Sequence, residues 1–403
     1  MRTMSDFVPP DLLIEILTKV PVKSLLRFTC VCKSWYSLIT NPIFITAHLN
    51  QTIANNKKNS RSLLLRHYSK NDKKEHYTLH HDDETFGDKF LELEFPFKSQ
   101  LGFFRIVGSC NGLLCLCDDL FGDTHTIILW NPSIRKSVNL PMPSKPQWPN
   151  MFVLGFGVNP ATNDYKVVRI VYYKEYLYRY KVPPEVEIYT LSTGSWRSVS
   201  SAAPSYCMVE FMWSQVFVNG AVHWIAYDLR VVGGFHSLIV SFDMGNEVFG
   251  EMMLPDALAG QHAINLSITV LEESLAVFKY DKQIGTESCC IWVMKEYGVA
   301  ESWTRMVTID LPGALGSTVE FRKNGEVLLS TRDNMLASYD PKTQQIKDLG
   351  IHGNSRSFYV DTYIESLFLL KGQNRFLEGQ LYSHLTSEEK RMELISSSKE
   401  ECC

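Results

Sequence analysis

The chain has 403 residues, of which 45% are hydrophobic, and its 40 Lys and Arg residues against 44 Asp and Glu residues leave a formal net charge of −4. This length allows more than one domain with a sizeable core. There is no basic field to hold a polyphosphate backbone, which excludes nucleic acid as the expected ligand.

Ten cysteines are scattered along the chain, without a signal-peptide pattern or an apolar run long enough to span a bilayer. The combination predicts a reducing compartment, the cytoplasm or also the nucleus, with no membrane partner and no disulfides. The final Cys402-Cys403 is not a prenylation box, so we interpret it as part of a frayed tail.

Three short amphipathic helices are predicted within the first fifty residues, because apolar residues recur at steps of three and four and Pro21 and Pro42 interrupt the pattern. So small a unit buries too little surface to be stable alone. Its apolar faces must therefore be covered by the rest of the chain or by another protein. The positions that define these faces are Pro9, Leu12, Leu13, Ile16, Leu17, Pro21, Leu25, Phe28, Val31, Trp35, Leu38 and Ile39.

A domain boundary is predicted at the polar, turn-rich "NQTIANNKKNSRS" (50–62), after which apolar residues alternate with period two. We therefore divide the chain into a helical domain (1–50), a linker (51–62), a β domain (63–375) and a C-terminal tail (376–403).

The β domain contains five copies of a two-hairpin unit. The first hairpins include "IVGSCNGLLCLC" (106–117) and "VFVNGAVHWIAY" (216–227), and the second include "IILWNPSIRKSVNLP" (127–141). Aromatic residues occupy matching places in the second hairpins, at Trp130, Tyr189, Phe242, Trp292 and Tyr339. Two hairpins form one four-stranded blade, and a repeat of about 50 residues predicts blades stacked into a β-propeller.

The two ends of the β domain are predicted to combine into a sixth, closing blade. Strand-like segments at 61–97 have no blade of their own, and "SFYVDTYIESLFLL" (357–370) supplies only one or two strands. Closure removes free sheet edges, which favours this arrangement. A pair of β-sandwiches, which also contains evenly spaced short strands, remains the alternative.

Signals for catalysis or metal binding are weak. "GSCNG" (108–112) has the outline of a nucleophile elbow at Cys110, but a strand follows it, so Asn111-Gly112 is interpreted as a hairpin turn. "HYTLHHDDE" (76–84) carries metal-ligand types, yet Tyr77, Thr78 and Leu79 favour a strand before a solvated acidic loop. No catalytic residue, cofactor or metal is predicted.

A candidate recognition surface is "VYYKEYLYRYKVPPE" (171–185), which is dense in tyrosine. Tyrosine gives a broad contact area at low entropic cost. The candidate contact residues are Tyr173, Tyr176, Tyr178 and Tyr180, with Asp118 and Asp119 predicted to steer a basic partner. The alternative is an extended hairpin whose tyrosines cover the outer edge of a blade.

The segment "VPPDLLIEILTKVPVKSLLRFTCVCKSWYSLITNPIFITAHL" (8–49) resembles a plant F-box. The remainder resembles the plant F-box-associated interaction domain through "GSCNGLLCL", "LWNPSIRK" and "SFDMGNEVFGEMMLP", and "YIESLFLL" (363–370) is similar to the ending of S-locus, S-haplotype-specific and S-locus-like F-box proteins. Kelch propellers carry a Gly-Gly pair in each repeat, whereas this chain has only Gly233-Gly234.

The resemblance implies that the twelve positions of the helical domain bind a Skp-type linker protein, and through it the cullin and RING subunits of an SCF ubiquitin ligase. The β domain would bind a protein substrate, and the chain itself would catalyse nothing. Among S-locus relatives the implied substrate is a basic ribonuclease in pollen self-incompatibility. Two alternatives stay open: a propeller enzyme of oxidase or glycosidase type, and an F-box scaffold that acts outside a ligase.

Overall fold

A computed structural model describes residues 9–370, apart from 59–60, 100–102, 119–125, 145–150, 174–182, 200–202, 210–214, 231–233, 235, 282–286, 312–314 and 355–356. The chain begins with a helical domain, here called the head. Its helices are α1 (Pro10–Leu17), α2 (Val22–Phe28), α3 (Lys33–Ile39) and α4 (Pro42–Lys58). The first three confirm the predicted trio.

The fourth helix, α4, corrects the predicted linker at 51–62. The Asn41 side chain accepts a hydrogen bond of 2.8 Å from the backbone N–H of Ile43, and Pro42 is the first helical residue, so the start signals of a helix are present. Phe44 and Ile45 then anchor α4 in the core of the head, and Leu49 of the same helix is buried as well. Because this face is buried, the helix continues through polar residues that the sequence pattern assigned to a linker.

The remaining strands form six antiparallel sheets in the described residues, and each sheet is one blade of a β-propeller. Blade 1 contains β1 (Ser62–Ser69), β2 (Lys74–His81) and β3 (Leu91–Leu93). Blade 2 contains β4 (Arg105–Cys110), β5 (Leu113–Cys117), β6 (Ile127–Asn131) and β7 (Lys136–Asn139). Blade 3 contains β8 (Met151–Val158), β9 (Tyr165–Tyr172), β10 (Glu185–Thr190) and β11 (Ser195–Ser198).

Blade 4 has five strands, because two short strands pair with different parts of β14. It contains β12 (Cys207–Val209), β13 (Val216–Val218), β14 (Ala221–Asp228), β15 (Ser237–Asp243) and β16 (Phe249–Met253), and the short helix α5 (Asp256–Ala259) follows it. Blade 5 contains β17 (Leu266–Leu271), β18 (Ser274–Asp281), β19 (Ser288–Met294) and β20 (Trp303–Asp310). Blade 6 contains β21 (Leu315–Phe321), β22 (Val327–Thr331), β23 (Met335–Asp340) and β24 (Gln345–His352), and β25 (Tyr359–Thr362) comes last.

The ring closes through β25, which pairs with β1 and so completes blade 1 from both ends of the β domain. The register places Leu63 opposite Thr362 and Leu65 opposite Val360. The prediction of a sixth, closing blade is therefore confirmed, and the β-sandwich alternative is wrong. The aromatic residues at matching places all lie on the third strand of their blades, at Trp130, Tyr189, Phe242, Trp292 and Tyr339.

Tight turns confirm the hairpin interpretation of the repeats. Asn111 and Gly112 have φ angles of 51° and 82°, and Asn219 and Gly220 have φ angles of 51° and 77°. Two successive residues with positive φ define the two-residue turn that Asn-Gly favours. Glycine is required at 112 for a second reason, because a Cβ there would lie 2.3 Å from the carbonyl oxygen of Ile364.

An ion pair is buried between blades 2 and 3. Arg169 on β9 lies opposite Glu187 on β10, its Nη1 donates to Glu187 Oε2 at 2.8 Å, and the side chains are 1% and 0% exposed. Ser144 also donates to Glu187, and the guanidinium lies 4.9 Å from the centroid of the Phe152 ring. Burial lowers the pKa of Arg169, and the hydrogen bond with Glu187 acts in the opposite direction.

Two carboxyl groups interact at the seam where the ring closes. Glu320 lies on β21 of blade 6 and Asp361 on β25, two neighbouring strands. Tyr359 Oη donates to Asp361 Oδ2 at 3.0 Å, and the backbone N–H of Phe321 donates to Glu320 Oε1 at 2.8 Å. Burial, reinforced by the charge of Asp361, raises the pKa of Glu320 to about 8.

The raised pKa of Glu320 predicts that the free energy of unfolding falls as the pH rises towards alkaline values. An unfolded glutamate titrates near 4.5, so between that pH and about 8 the folded chain binds the extra proton, and raising the pH favours unfolding. We expect Glu320→Gln to flatten this decline and to unfold at a higher temperature than the wild type above about pH 8. The unfolding temperatures of the variant and the wild type, measured across a pH series, test this expectation.

The matched control is Glu301→Gln, which changes an exposed glutamate outside the seam. This variant should follow the wild-type pH profile throughout. Identical profiles for Glu320→Gln and the wild type would contradict the prediction, because the carboxyl at the seam would then titrate as it does in the unfolded chain.

Candidate interaction surfaces

Several apolar side chains on the head are exposed to solvent. Leu12 is 48% exposed and Ile16 49%, one turn apart on α1, and Val31 after α2 is 61% exposed. Tyr36 at 49% and Ile43 at 78% extend the set, which we call the head surface. Exposed apolar side chains concentrated in one small domain indicate an interaction site for another protein.

Three predicted contact residues instead lie inside the protein. Leu17 is 2% exposed, and Leu25 and Ile39 are fully buried. They pack in one core that also contains Ile134 of blade 2 and Leu367 after the last strand. The prediction that these three contact a partner directly is therefore corrected, since the propeller already covers that side of the helices.

The other predicted contact positions of the head are either half-buried or exposed. Leu13, Phe28, Trp35 and Leu38 are half-buried, whereas Pro9 and Pro21 are exposed. Phe28 and Trp35 form an edge-to-face pair with ring centroids 5.3 Å apart. Trp35 therefore has a packing role within the head.

Tyr36 and Ile43 are surface residues that the sequence analysis missed. Tyr36 adjoins Trp35 in α3, and Ile43 stands next to the buried Phe44 in α4. The available signal was helical geometry, because residues next to a buried helix position point about 100° away from it. For Ile43 this signal could not be used, because α4 was not predicted.

The predicted recognition residues of the β domain are only partly described. Tyr173 donates from its hydroxyl to Glu185 Oε2 at 3.1 Å, and the neighbouring Tyr172 is buried. Asp118 is 3% exposed and accepts a hydrogen bond of 2.6 Å from Ser99 Oγ, so its role in steering a basic partner is corrected. Tyr176, Tyr178, Tyr180 and Asp119 lie outside the described residues.

The weak chemical motifs have structural roles. Cys110 is 6% exposed at the end of β4, with a hairpin turn and a strand after it, and burial raises the pKa of its thiol. His76 and His80 lie on β2, where His76 Nε2 contacts Asp72 at 2.8 Å and His80 Nδ1 contacts the Phe86 carbonyl at 2.7 Å. Among the described residues, no group of three or more His, Cys, Asp or Glu side chains is arranged to hold a metal.

The predicted acidic loop after β2 is partly an interior feature. Asp82 accepts a hydrogen bond of 3.2 Å from Arg322 Nε and one of 2.9 Å from the backbone N–H of Lys323, and its side chain is 1% exposed. This carboxylate therefore joins blade 1 to blade 6, and only Asp83 and Glu84 beside it are exposed.

The two faces of the propeller differ. The turns β4–β5, β6–β7 and β8–β9 lie at one end of the strands, which we call the turn face, and the head is bound there: Ile134 contributes to the core of the head, and Asn163 lines a groove beside Ile43 and Ala47 of α4. In blades 2 and 3 the connections β5–β6 and β9–β10 leave from the opposite end, which we call the loop face, and are longer than these turns. The loop face is thus free of the head.

None of the helices that the structure describes has the length and apolar character needed to cross a bilayer.

Comparisons with known proteins agree with this architecture. The F-box domain matches residues 8–46, and the F-box associated beta propeller domain matches residues 84–367. F-box protein At3g07870 of Arabidopsis thaliana is 30% identical over 90% of this chain and 92% of its own length. F-box protein CPR1 of the same plant is 27% identical over 90% of this chain and 89% of its own length.

An F-box followed by a β-propeller is in general the domain combination of a substrate-recognition adaptor of an SCF ubiquitin ligase, and F-box proteins are typically adaptors. An F-box generally implies a Skp-type partner. The family model covers more than half of the chain, and both domains stand in the order that the fold shows. The chain therefore belongs to the family of F-box proteins with an F-box associated β-propeller domain.

Proposed function

We propose that this chain is the substrate-recognition subunit of an SCF ubiquitin ligase, in which the head surface binds a Skp-type linker and, through it, cullin and RING subunits. The observation that carries the proposal is the exposure of Leu12, Ile16 and Val31, at 48%, 49% and 61%, on a head whose other apolar face is buried against the propeller. A desolvated partner surface would cover these side chains.

We further propose that a protein substrate binds the loop face, which lies opposite the head. The connection between β9 and β10, which lies within the tyrosine-rich segment, leaves β9 at this face, and Tyr173 is its first residue. A basic ribonuclease is the substrate class implied by the S-locus resemblance of "YIESLFLL". A catalytic role is no part of this proposal, since the ligase's conjugating enzyme supplies the chemistry.

Linker binding is expected to depend on the exposed residues and not on overall stability. Ile16→Asp and Val31→Asp should each weaken binding of a purified Skp-type linker by about 2 kcal/mol or more, which is roughly thirtyfold, while leaving the unfolding temperature close to that of the wild type. The matched control is Ile346→Asp, which places the same charge at another exposed isoleucine, on β24. Wild-type affinity in both head variants would refute the assignment.

Substrate capture is measured by affinity purification of each variant from cells in which the proteasome is blocked. Tyr176→Ser/Tyr178→Ser/Tyr180→Ser should retain the linker and lose the substrate, whereas Ile16→Asp should show the opposite pattern. Loss of stability with capture per folded molecule unaltered would favour tyrosines that only cover the blade edge.

A further inference from the structure

The segment that follows β25, residues 363–370, is bound tightly to the propeller, and we call it the strap. Asn131 at the end of β6 donates from Nδ2 to the carbonyl oxygens of Ser366 and Phe368, each at 2.9 Å. The Phe368 ring meets the Tyr165 ring edge-to-face at 4.9 Å. These contacts fix the path of the strap across blades 2 and 3.

The same strap is bound to the head. Glu365 Oε2 accepts a hydrogen bond of 3.1 Å from the backbone N–H of Val22, the first residue of α2. This bond satisfies one of the donors that a helix start leaves unpaired. Asn56 of α4 donates to the Tyr363 carbonyl at 3.0 Å, so two helices of the head, α2 and α4, are connected to one short segment.

The apolar core under the head is shared between three parts of the chain. Leu367 of the strap, 1% exposed, and Ile134 of blade 2 pack with Leu17, Leu25 and Ile39. Rotation of the head on the turn face would expose this core and break the two hydrogen bonds to the strap. Domains joined only by a linker move freely unless such an apolar interface holds them.

We infer that the strap holds the head in one orientation on the turn face. This orientation sets which lysines, of the substrate and of the chain itself, come within reach of the ligase's conjugating enzyme. The inference rests on the proposed function for its second half only. Holding the reacting groups in one geometry raises the rate of transfer, because less orientational freedom is lost at each event. Glu365 and Asn56 act here as positioning residues, with no contact to linker or substrate.

Orientation is measured directly in the full chain with two dyes, attached through noncanonical amino acids at Lys23 of the head and Lys342 of blade 6. The wild type should give one narrow distance distribution, and Asn56→Ala/Glu365→Ala a broad one. The control, Glu301→Ala/Gln345→Ala, removes an amide and a carboxylate that are exposed on blades 5 and 6 and should stay narrow. The single variants replace the double variant if it fails to fold.

The consequence for transfer is read by mapping ubiquitin on the chain's own lysines in a reconstituted ligase. The wild type should be modified at a restricted set, and Asn56→Ala/Glu365→Ala at a wider set with severalfold slower transfer, at unchanged linker affinity. Narrow distances in the double variant, or a broad distribution in the wild type, would overturn the inference. Failure of the wild type to bind the linker would instead overturn the proposed function and leave the distance result to decide the inference.

Discussion

Removing residues 356–403 is expected to eliminate correctly folded monomer. The deletion takes away β25, so β1 becomes an edge strand at the centre of the ring. Leu63 and Leu65, both fully buried, then lose their cover from Val360. A free apolar edge is a template for pairing with other chains, so we expect aggregated protein. The strap is removed as well, so the head loses its hydrogen bonds to Tyr363 and Glu365.

The control deletes residues 371–403 and keeps both β25 and the strap. This shorter deletion should give a monomer whose thermal unfolding resembles that of the full chain. Size-exclusion chromatography and thermal unfolding of the two deletions, side by side, measure the difference. A cooperatively folding monomer that lacks 356–403 would show that closure through β25 is dispensable.

Breaking the ion pair between blades 2 and 3 should cost more stability than most single substitutions. In Glu187→Ala the guanidinium of Arg169, which is 1% exposed, loses its counter-ion inside an apolar interface. An uncompensated buried charge costs about 3–5 kcal/mol. We expect a correspondingly lower free energy of unfolding by chemical denaturation.

The double variant Arg169→Leu/Glu187→Leu separates charge from packing. It removes both charges and keeps apolar volume, so it should recover most of the stability lost in Glu187→Ala. Equal destabilisation of the single and double variants would show that the pair matters through its shape and its bond to Ser144 rather than through charge.

The sequence predicted the propeller because each blade carries its own local signals. Asn111-Gly112 and Asn219-Gly220 mark hairpin turns through a backbone conformation that few other residues adopt. Trp130 and its four counterparts recur on the third strand because blades 2 to 6 pack that position against a neighbouring blade, with Trp292 partly buried and the other four buried. A pattern that is repeated in this way can be recognised in the sequence without knowledge of the tertiary contacts.

The interface between head and propeller could not be predicted in this way. Ile16 and Leu17 are adjacent apolar residues of α1, yet Leu17 is 2% exposed and Ile16 is 49% exposed. Periodicity shows that a face is apolar but not what covers it. Leu17 shares its core with Leu367, hundreds of residues later, and no local signal connects the two. Asp118 was misjudged for the same reason, since its bond to Ser99 is a tertiary contact.

By itself, the sequence determined the domain order, the strand repeats, the turns and the closing blade, because these depend on local periodicity and on the residues that tight turns require. Only the tertiary structure decided which apolar residues of the head remain open to a partner and how α4 and the strap bind the head to the propeller. The physical reason is that burial is a property of pairs of surfaces, and these pairs are joined by hydrogen bonds and packing between residues far apart in the chain.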